Sequence, residues 1–361
     1  MSEENIEINI TQNPGNLPEQ NNNENSLMPG FKSVCTKLGL MMITIFVCRL
    51  FVMFVPVLVF GDFFYSLDEM GQTIANLVLN IIFLYLLPIT LTAVILKFPI
   101  SSNAGSLYQK PRYMGKALGM FPAAYSAAIL IRLLTMALGA LLSNTIFKNS
   151  FNATGDTLTA SSLPEALILF VQLAVIAPLF EEFWFRGMVL HSLQPYGNGF
   201  AIFISAILFG ITHSNFEQFF YAAALGIVLG YIAVQTNSLI PSTIMHFFFN
   251  SISGVLVLLS SDTSVQDYVL AGQRGEEGVI TPAVGFYIAW IALIMLLMLV
   301  GLIMAIIKFT KIKKFRVPKV QTELSSKTRW RIFFTRISVI ISLILAIFSF
   351  VPDLIPLLFS R

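Results

Sequence analysis

From residue 38 onward the chain reads as long apolar runs separated by short polar stretches. Runs of about 17–25 apolar residues suit a helix crossing a hydrocarbon core, because an α-helix rises about 1.5 Å per residue. They lie at Leu38–Phe60, Thr73–Leu96, Ala117–Leu142, Leu163–Leu193, Phe200–His213, Phe219–Val234, Leu239–Ser260, Ala283–Ile307 and Ile337–Leu358. The pattern predicts an all-α fold, a polytopic transmembrane helix bundle of eight or nine spans, eight if the last run is peripheral. The fifth run is short and the fourth long. The fourth has its own punctuation: Ser162 and Glu165 form a capping box with Pro164 in the first turn, Pro178 predicts a kink, and Pro195, Gly197 and Gly199 end the helix.

Residues 1–33 lack this pattern. They are polar, acidic and Asn-rich, with neither the basic start nor the apolar centre of a signal peptide, and read as a disordered tail. Residues 34–361 read as one membrane domain with its catalytic core at 162–260, and no internal repeat is evident.

Composition agrees with a membrane location. Charged residues make up 11% of the 361-residue chain, against roughly 25% in soluble domains. Their placement orients the bundle. Lys97, Lys110, Arg112 and Lys116 follow the second run, and ten Lys and Arg residues between Lys308 and Arg336 follow the eighth. The stretches 61–72, 143–162 and 261–282 are poor in both. The basic stretches are therefore expected in the cytoplasm, as linkers near anionic lipid, with the N-terminus cytoplasmic and the C-terminus outside. The Asn-rich tail and the Phe and Ile content point to an AT-rich bacterial genome, hence to a bacterial plasma membrane. Nothing supports binding to nucleic acid. Cys35 and Cys48 have neither disulfide-framework nor metal-ligand spacing.

Ionisable groups inside apolar spans are costly and are functional candidates by default. Here they are few. Glu181, Glu182 and Arg186 sit in one run, His213 ends another, and His246 with Asn250 opens a third. Glu182 and Arg186 are spaced to pair on one helix face, with Glu181 turned about 100° away. His246 and Asn250 are likewise one turn apart. Helix rise puts Glu181 roughly 27 Å from the start of its run, His213 roughly 21 Å and His246 roughly 12 Å from the cytoplasmic side, so the groups can converge within the membrane. A carboxylate beside an imidazole can deprotonate water, while a second imidazole and a carboxamide can stabilise an oxyanion. Two histidines and a glutamate can instead bind a divalent metal such as zinc, with Glu181, His213 and His246 as ligands. No Ser or Cys nucleophile motif accompanies them, and HExxH is absent.

In order, Glu181-Glu182-xxx-Arg186, Phe209-xxx-His213 and His246-xxx-Asn250 resemble the three motifs of the CPBP family. That family includes CAAX prenyl proteases and bacterial bacteriocin-processing or self-immunity proteins, often labelled Abi. The resemblance spans about residues 162–260. It implies an intramembrane endopeptidase acting near the cytoplasmic side on a peptide or membrane-anchored protein. Glu181 would be the general base or metal-binding carboxylate, and His213 its partner on the water. His246 and Asn250 would serve the oxyanion, and Glu182 and Arg186 would orient the site. The same fold also implies an alternative, a non-catalytic bacteriocin-immunity or membrane regulatory protein. A proton-coupled transporter fits less well, because its polar groups would recur in both halves of the chain.

Overall fold

In the computed structural model the described residues are 20–98, 105–142, 144–145, 160–309, 317–318, 320 and 324–351, and they contain helices and no strands. Eleven principal helices run in order. They are α1 (Gln20–Val55), α2 (Glu69–Leu96), α3 (Met114–Leu141), α4 (Leu163–Tyr196), α5 (Asn198–Ile211), α6 (Phe216–Thr236), α7 (Ile240–Ser260), α8 (Thr263–Gln273), α9 (Pro282–Phe309), α10 (Ser326–Phe334) and α11 (Ile337–Phe350). Seven of them are long and apolar enough to cross a membrane, and α10 with α11, bent by 67°, forms an eighth candidate. The polytopic helix bundle expected from the apolar runs is therefore what forms.

The fifth run differs from its expectation as a span. Helix α5 has 14 residues and so is roughly 21 Å long, short of a hydrocarbon core of about 30 Å. It stops inside the bundle, at the turn that carries His213. The tail boundary also shifts. Helix α1 reaches back to Gln20, and Phe31 is fully buried with its ring 4.9 Å from that of Tyr196. Residues 1–19 of the expected tail lie outside the described residues, as do 352–358 of the ninth run and much of the basic stretch after α9.

Helices α4 to α7 form the centre. Helix α1 packs on α2 and α11 to one side, while α3 lies between α6 and α9 on the other. Small residues let α5 and α6 approach closely, as membrane helices require when burial from water no longer drives them together. A Cβ built on Gly226 would lie 3.0 Å from the Cα of Ala206, and one on Gly210 would lie 2.8 Å from the Phe219 carbonyl. Polar side chains pin other helix pairs: Trp184 Nε1 donates to Thr92 Oγ1 at 3.0 Å, and Ser126 Oγ to the Met298 carbonyl at 2.8 Å.

The loops sort into two faces. On the first, the backbone around 107–112 bonds to the turn 236–239, while Asn198 donates to the Pro318 carbonyl and Arg329 to the Tyr196 carbonyl. This face gathers the basic stretches. Part of the expected linker is in fact a docked helix: α10 lays Trp330 and Phe333 against Phe200, with ring centroids 5.1 and 6.0 Å apart. On the opposite face, Ser161 bonds Glu69 and Glu165, and Ser264 meets Thr281. The expected capping box is displaced by one residue. The Ser162 side chain makes no cap, and Glu165 instead accepts from the Ser161 backbone N–H at 2.8 Å.

Candidate active site

Helix α4 is not a uniform α-helix. Its backbone widens to π geometry at Val171–Ile176 and again at Glu182–Leu190, a distortion frequent at functional sites. Pro178 explains the first widening. The Ala177 N–H reaches back five residues to the Gln172 carbonyl. The next N–H in that series would serve the Leu173 carbonyl, but proline has none. Asn250 on α7 fills the gap, its Nδ2 donating to the Leu173 carbonyl at 2.9 Å. The kink expected at Pro178 thus takes the form of a widened turn pinned by a neighbouring helix. The second widening is pinned from α5, where Ser205 Oγ donates to the Phe185 carbonyl at 2.8 Å.

That second stretch opens with the carboxylate pair. Glu182 and Arg186 are fully buried and sit 2.8 Å apart, Oε1 to Nη1, as their spacing predicts. The guanidinium also lies 4.5 Å above the Phe209 ring, and its Nη2 donates to the Gly226 carbonyl at 3.3 Å. His246 joins the same carboxylate, with Nδ1 3.0 Å from Glu182 Oε1. Its Nε2 lies 3.7 Å from Glu181 Oε2. The two neighbouring glutamates, expected to diverge, therefore meet one imidazole at its two nitrogens. The angle between successive side chains is bridged by the ring itself.

His213 sits just past the end of α5. Its Nδ1 is 3.0 Å from the Phe209 carbonyl, one turn earlier. A carbonyl only accepts, so Nδ1 carries the proton there and Nε2 of the neutral ring keeps its lone pair. Phe209 packs against both histidines, its ring edge-on to each, at 5.0 Å from His213 and 5.7 Å from His246. Arg49 on α1 donates to the Thr212 carbonyl and so fixes the C-terminal end of α5 beside His213.

Glu181, His213, His246 and Asn250 all line one cavity of about 580 Å³. Glu182 and Arg186 stand behind it and hold His246. The cavity runs along α7 from His246 to Ser260, roughly 21 Å of helix, and along α4 from Glu181 back to Leu173. It extends away from the basic face, whereas the chemistry is expected near that face. At Ser260 it adjoins a second cavity of about 820 Å³, lined by polar groups including Glu69, Gln72 and Glu165.

The sequence also nominates Glu181, His213 and His246 as ligands for a divalent ion. Among the described residues no group of three or more His, Cys, Asp or Glu side chains is arranged to hold a metal. The residues do not fit a three-ligand site, and no step below runs through one.

Two further groups in the cavity wall carry polar chemistry, Arg132 and Tyr85. Arg132 on α3 reaches the cavity and pairs with Glu217 at 2.9 Å. Glu217 is buried in the first turn of α6. Tyr85 on α2 lines the wall beside Glu181, its ring stacked on Phe180 at 5.4 Å. The signal for Arg132 was its charge in mid-span. Tyr85 has none, since a tyrosine in an apolar run is ordinary.

Residues 163–252 match the family model of the Type II CAAX prenyl endopeptidase Rce1-like proteins. The match begins with α4 and ends within α7, so it includes Glu181, His213, His246 and Asn250. Comparison with curated proteins and with solved structures gave no match.

Proposed function

We propose that this membrane protein is an endopeptidase whose water is activated by Glu181, a reading supported by the match of residues 163–252 to the CAAX prenyl endopeptidase family model. One observation carries the reading: a carboxylate, two imidazoles and a carboxamide from three separate parts of the bundle line a single cavity. A water between Glu181 Oε2 and His246 Nε2, which are 3.7 Å apart, reaches both within hydrogen-bond distance. Glu181 takes one proton from that water as the oxygen attacks the peptide carbonyl. His213 offers its Nε2 lone pair to the same water and keeps it aligned.

The attack leaves an oxyanion, which needs donors already in place. Asn250 is held by its bond to the Leu173 carbonyl, and the second hydrogen of its Nδ2 is available to the oxyanion. His246 Nε2 is the other donor when protonated, steadied through Nδ1 by Glu182 as a carboxylate steadies the imidazole of a catalytic triad. Collapse of the intermediate breaks the C–N bond, and Glu181 returns its proton to the leaving amine. The substrate is a peptide or a membrane-anchored protein whose cleavable segment enters the cavity in extended form. The irregular backbone of α4 supports the same reading, since Glu181 and Leu173, whose carbonyl accepts from Asn250, both line the cavity.

The test is turnover of a defined decapeptide pool, prenylated and unmodified, by purified protein in proteoliposomes. Glu181→Gln is expected to lose at least about 10²–10⁴-fold in rate. Its melting temperature should match wild type, because the charged partner of Glu182 is untouched. Wild-type turnover by that variant would remove Glu181 from the chemistry.

A further inference from the structure

The mechanism leaves one charged group of the cavity wall unused. Arg132 sits mid-span on α3, where a charge is costly unless it has a task. Its side chain is 43% exposed and lines the cavity that holds Glu181 and both histidines. Its ion pair is lopsided. Nε and Nη2 both approach a single oxygen, Glu217 Oε1, each at 2.9 Å. Among the described residues Nη1 has no hydrogen bond, although guanidinium is a five-donor fork suited to planar carboxylates. Glu217 is mostly buried and Tyr221 lies under the guanidinium at 5.8 Å, so the head group is held in place before any substrate arrives.

The rest of the wall is apolar or neutral apart from the catalytic groups themselves. A substrate carboxylate entering this space meets repulsion from Glu181 and attraction from Arg132. The geometry points to Arg132 as a specificity-determining residue that binds a carboxylate of the substrate and sets how far from it the chain is cut. This rests on the endopeptidase reading of the same cavity. The reach is short. The cavity follows roughly 21 Å of helix, and an extended peptide advances about 3.4 Å per residue. The carboxylate therefore lies within about six residues of the scissile bond. Its source is either the free C-terminus or an acidic side chain near it.

The experiment uses the full chain in proteoliposomes and one set of decapeptides. Each sequence is made as the free acid, as the C-terminal amide, and as an amide with one interior Gln replaced by Glu. Products are read by mass spectrometry. Binding of the same fluorescein-labelled peptides to the Glu181→Gln protein gives the ratios without turnover. Wild type should prefer a carboxylate-bearing form over the plain amide by about 10–100-fold, the range of one charge-assisted contact. Preference for the free acid assigns the C-terminus, and preference for the interior Glu assigns the side chain. Arg132→Gln should bring the ratio to within about threefold of unity. Because that change strands Glu217 without its cation, the double variant Arg132→Gln/Glu217→Gln is measured beside it and should give the same collapse. An unchanged ratio in both variants, or a wild type blind to the carboxylate in cleavage and binding alike, overturns the assignment. Undiminished cleavage by Glu181→Gln would instead defeat the catalytic reading, and is seen before Arg132 is altered.

Discussion

Removing Arg186 while keeping its bulk, as in Arg186→Met, tests the scaffold behind His246. Both members of the Glu182–Arg186 pair have fully buried side chains. With the guanidinium gone, Glu182 keeps its contact with His246 but no cation, and its Oε2 already lacks a hydrogen-bond partner among the described residues. Breaking a buried pair from one side costs about 3–5 kcal/mol, because the surviving charge is left in a poorly polarisable surrounding. The lost cation–π contact with Phe209 adds about 1–2 kcal/mol. Folded proteins hold only about 5–15 kcal/mol in reserve, so the single variant should melt far earlier than wild type. Glu182→Leu should do similar damage by stranding the arginine. The double variant Glu182→Leu/Arg186→Met removes both charges and restores apolar packing, so it should recover to within about 2 kcal/mol of wild type. Denaturant unfolding of the four proteins in one detergent closes the cycle. A coupling energy below about 0.5 kcal/mol would show that the two charges act independently, and the account of Glu182 as the anchor of His246 would be wrong.

Two other predictions follow from the helix contacts. Asn250→Leu leaves the Leu173 carbonyl unpaired and should cost about 1–3 kcal/mol, while adding Pro178→Ala supplies a backbone N–H nearby and should return part of the loss in the same unfolding assay. Gly226→Val places a side chain against the backbone of Ala206, 3.0 Å from where its Cβ would sit, and should destabilise the α5–α6 pair by about 1–3 kcal/mol; unchanged stability would mean that the two helices separate without penalty.

The fold was largely legible because the bilayer imposes a length. Seven of the expected runs became full-length apolar helices, and the loops that share a charge bias share a face of the molecule. The exceptions have physical causes. Helix α5 is apolar enough to pass as a span, and only its 14-residue length and central position show that it ends inside the bundle. The start of α1 was hidden by composition: Asn and Glu are poor company for an apolar run, yet the turn that carries Phe31 packs its ring on Tyr196.

At the site, the ionisable residues were legible singly because a membrane segment has so few of them, but their mutual arrangement was not. Helical periodicity gives Glu182 and Arg186 as a pair and turns Glu181 away, and that is right for an α-helix standing alone. It omits the partner. An imidazole has two nitrogens on different edges, so one ring from α7 meets both adjacent carboxylates. Asn250 shows the same limit. Its spacing from His246 predicts a shared face, yet its first partner is a backbone carbonyl whose own donor is missing because residue 178 is proline. A vacant backbone bond leaves no mark in a hydrophobicity pattern. It follows from asking where each carbonyl of a proline-bearing helix finds its hydrogen, and here the answer lies seventy-seven residues away on the helix that also carries His246. The proline thereby helps to fix the carboxamide at the wall where an oxyanion would form, which ties the irregular backbone of α4 to the proposed chemistry through one bond.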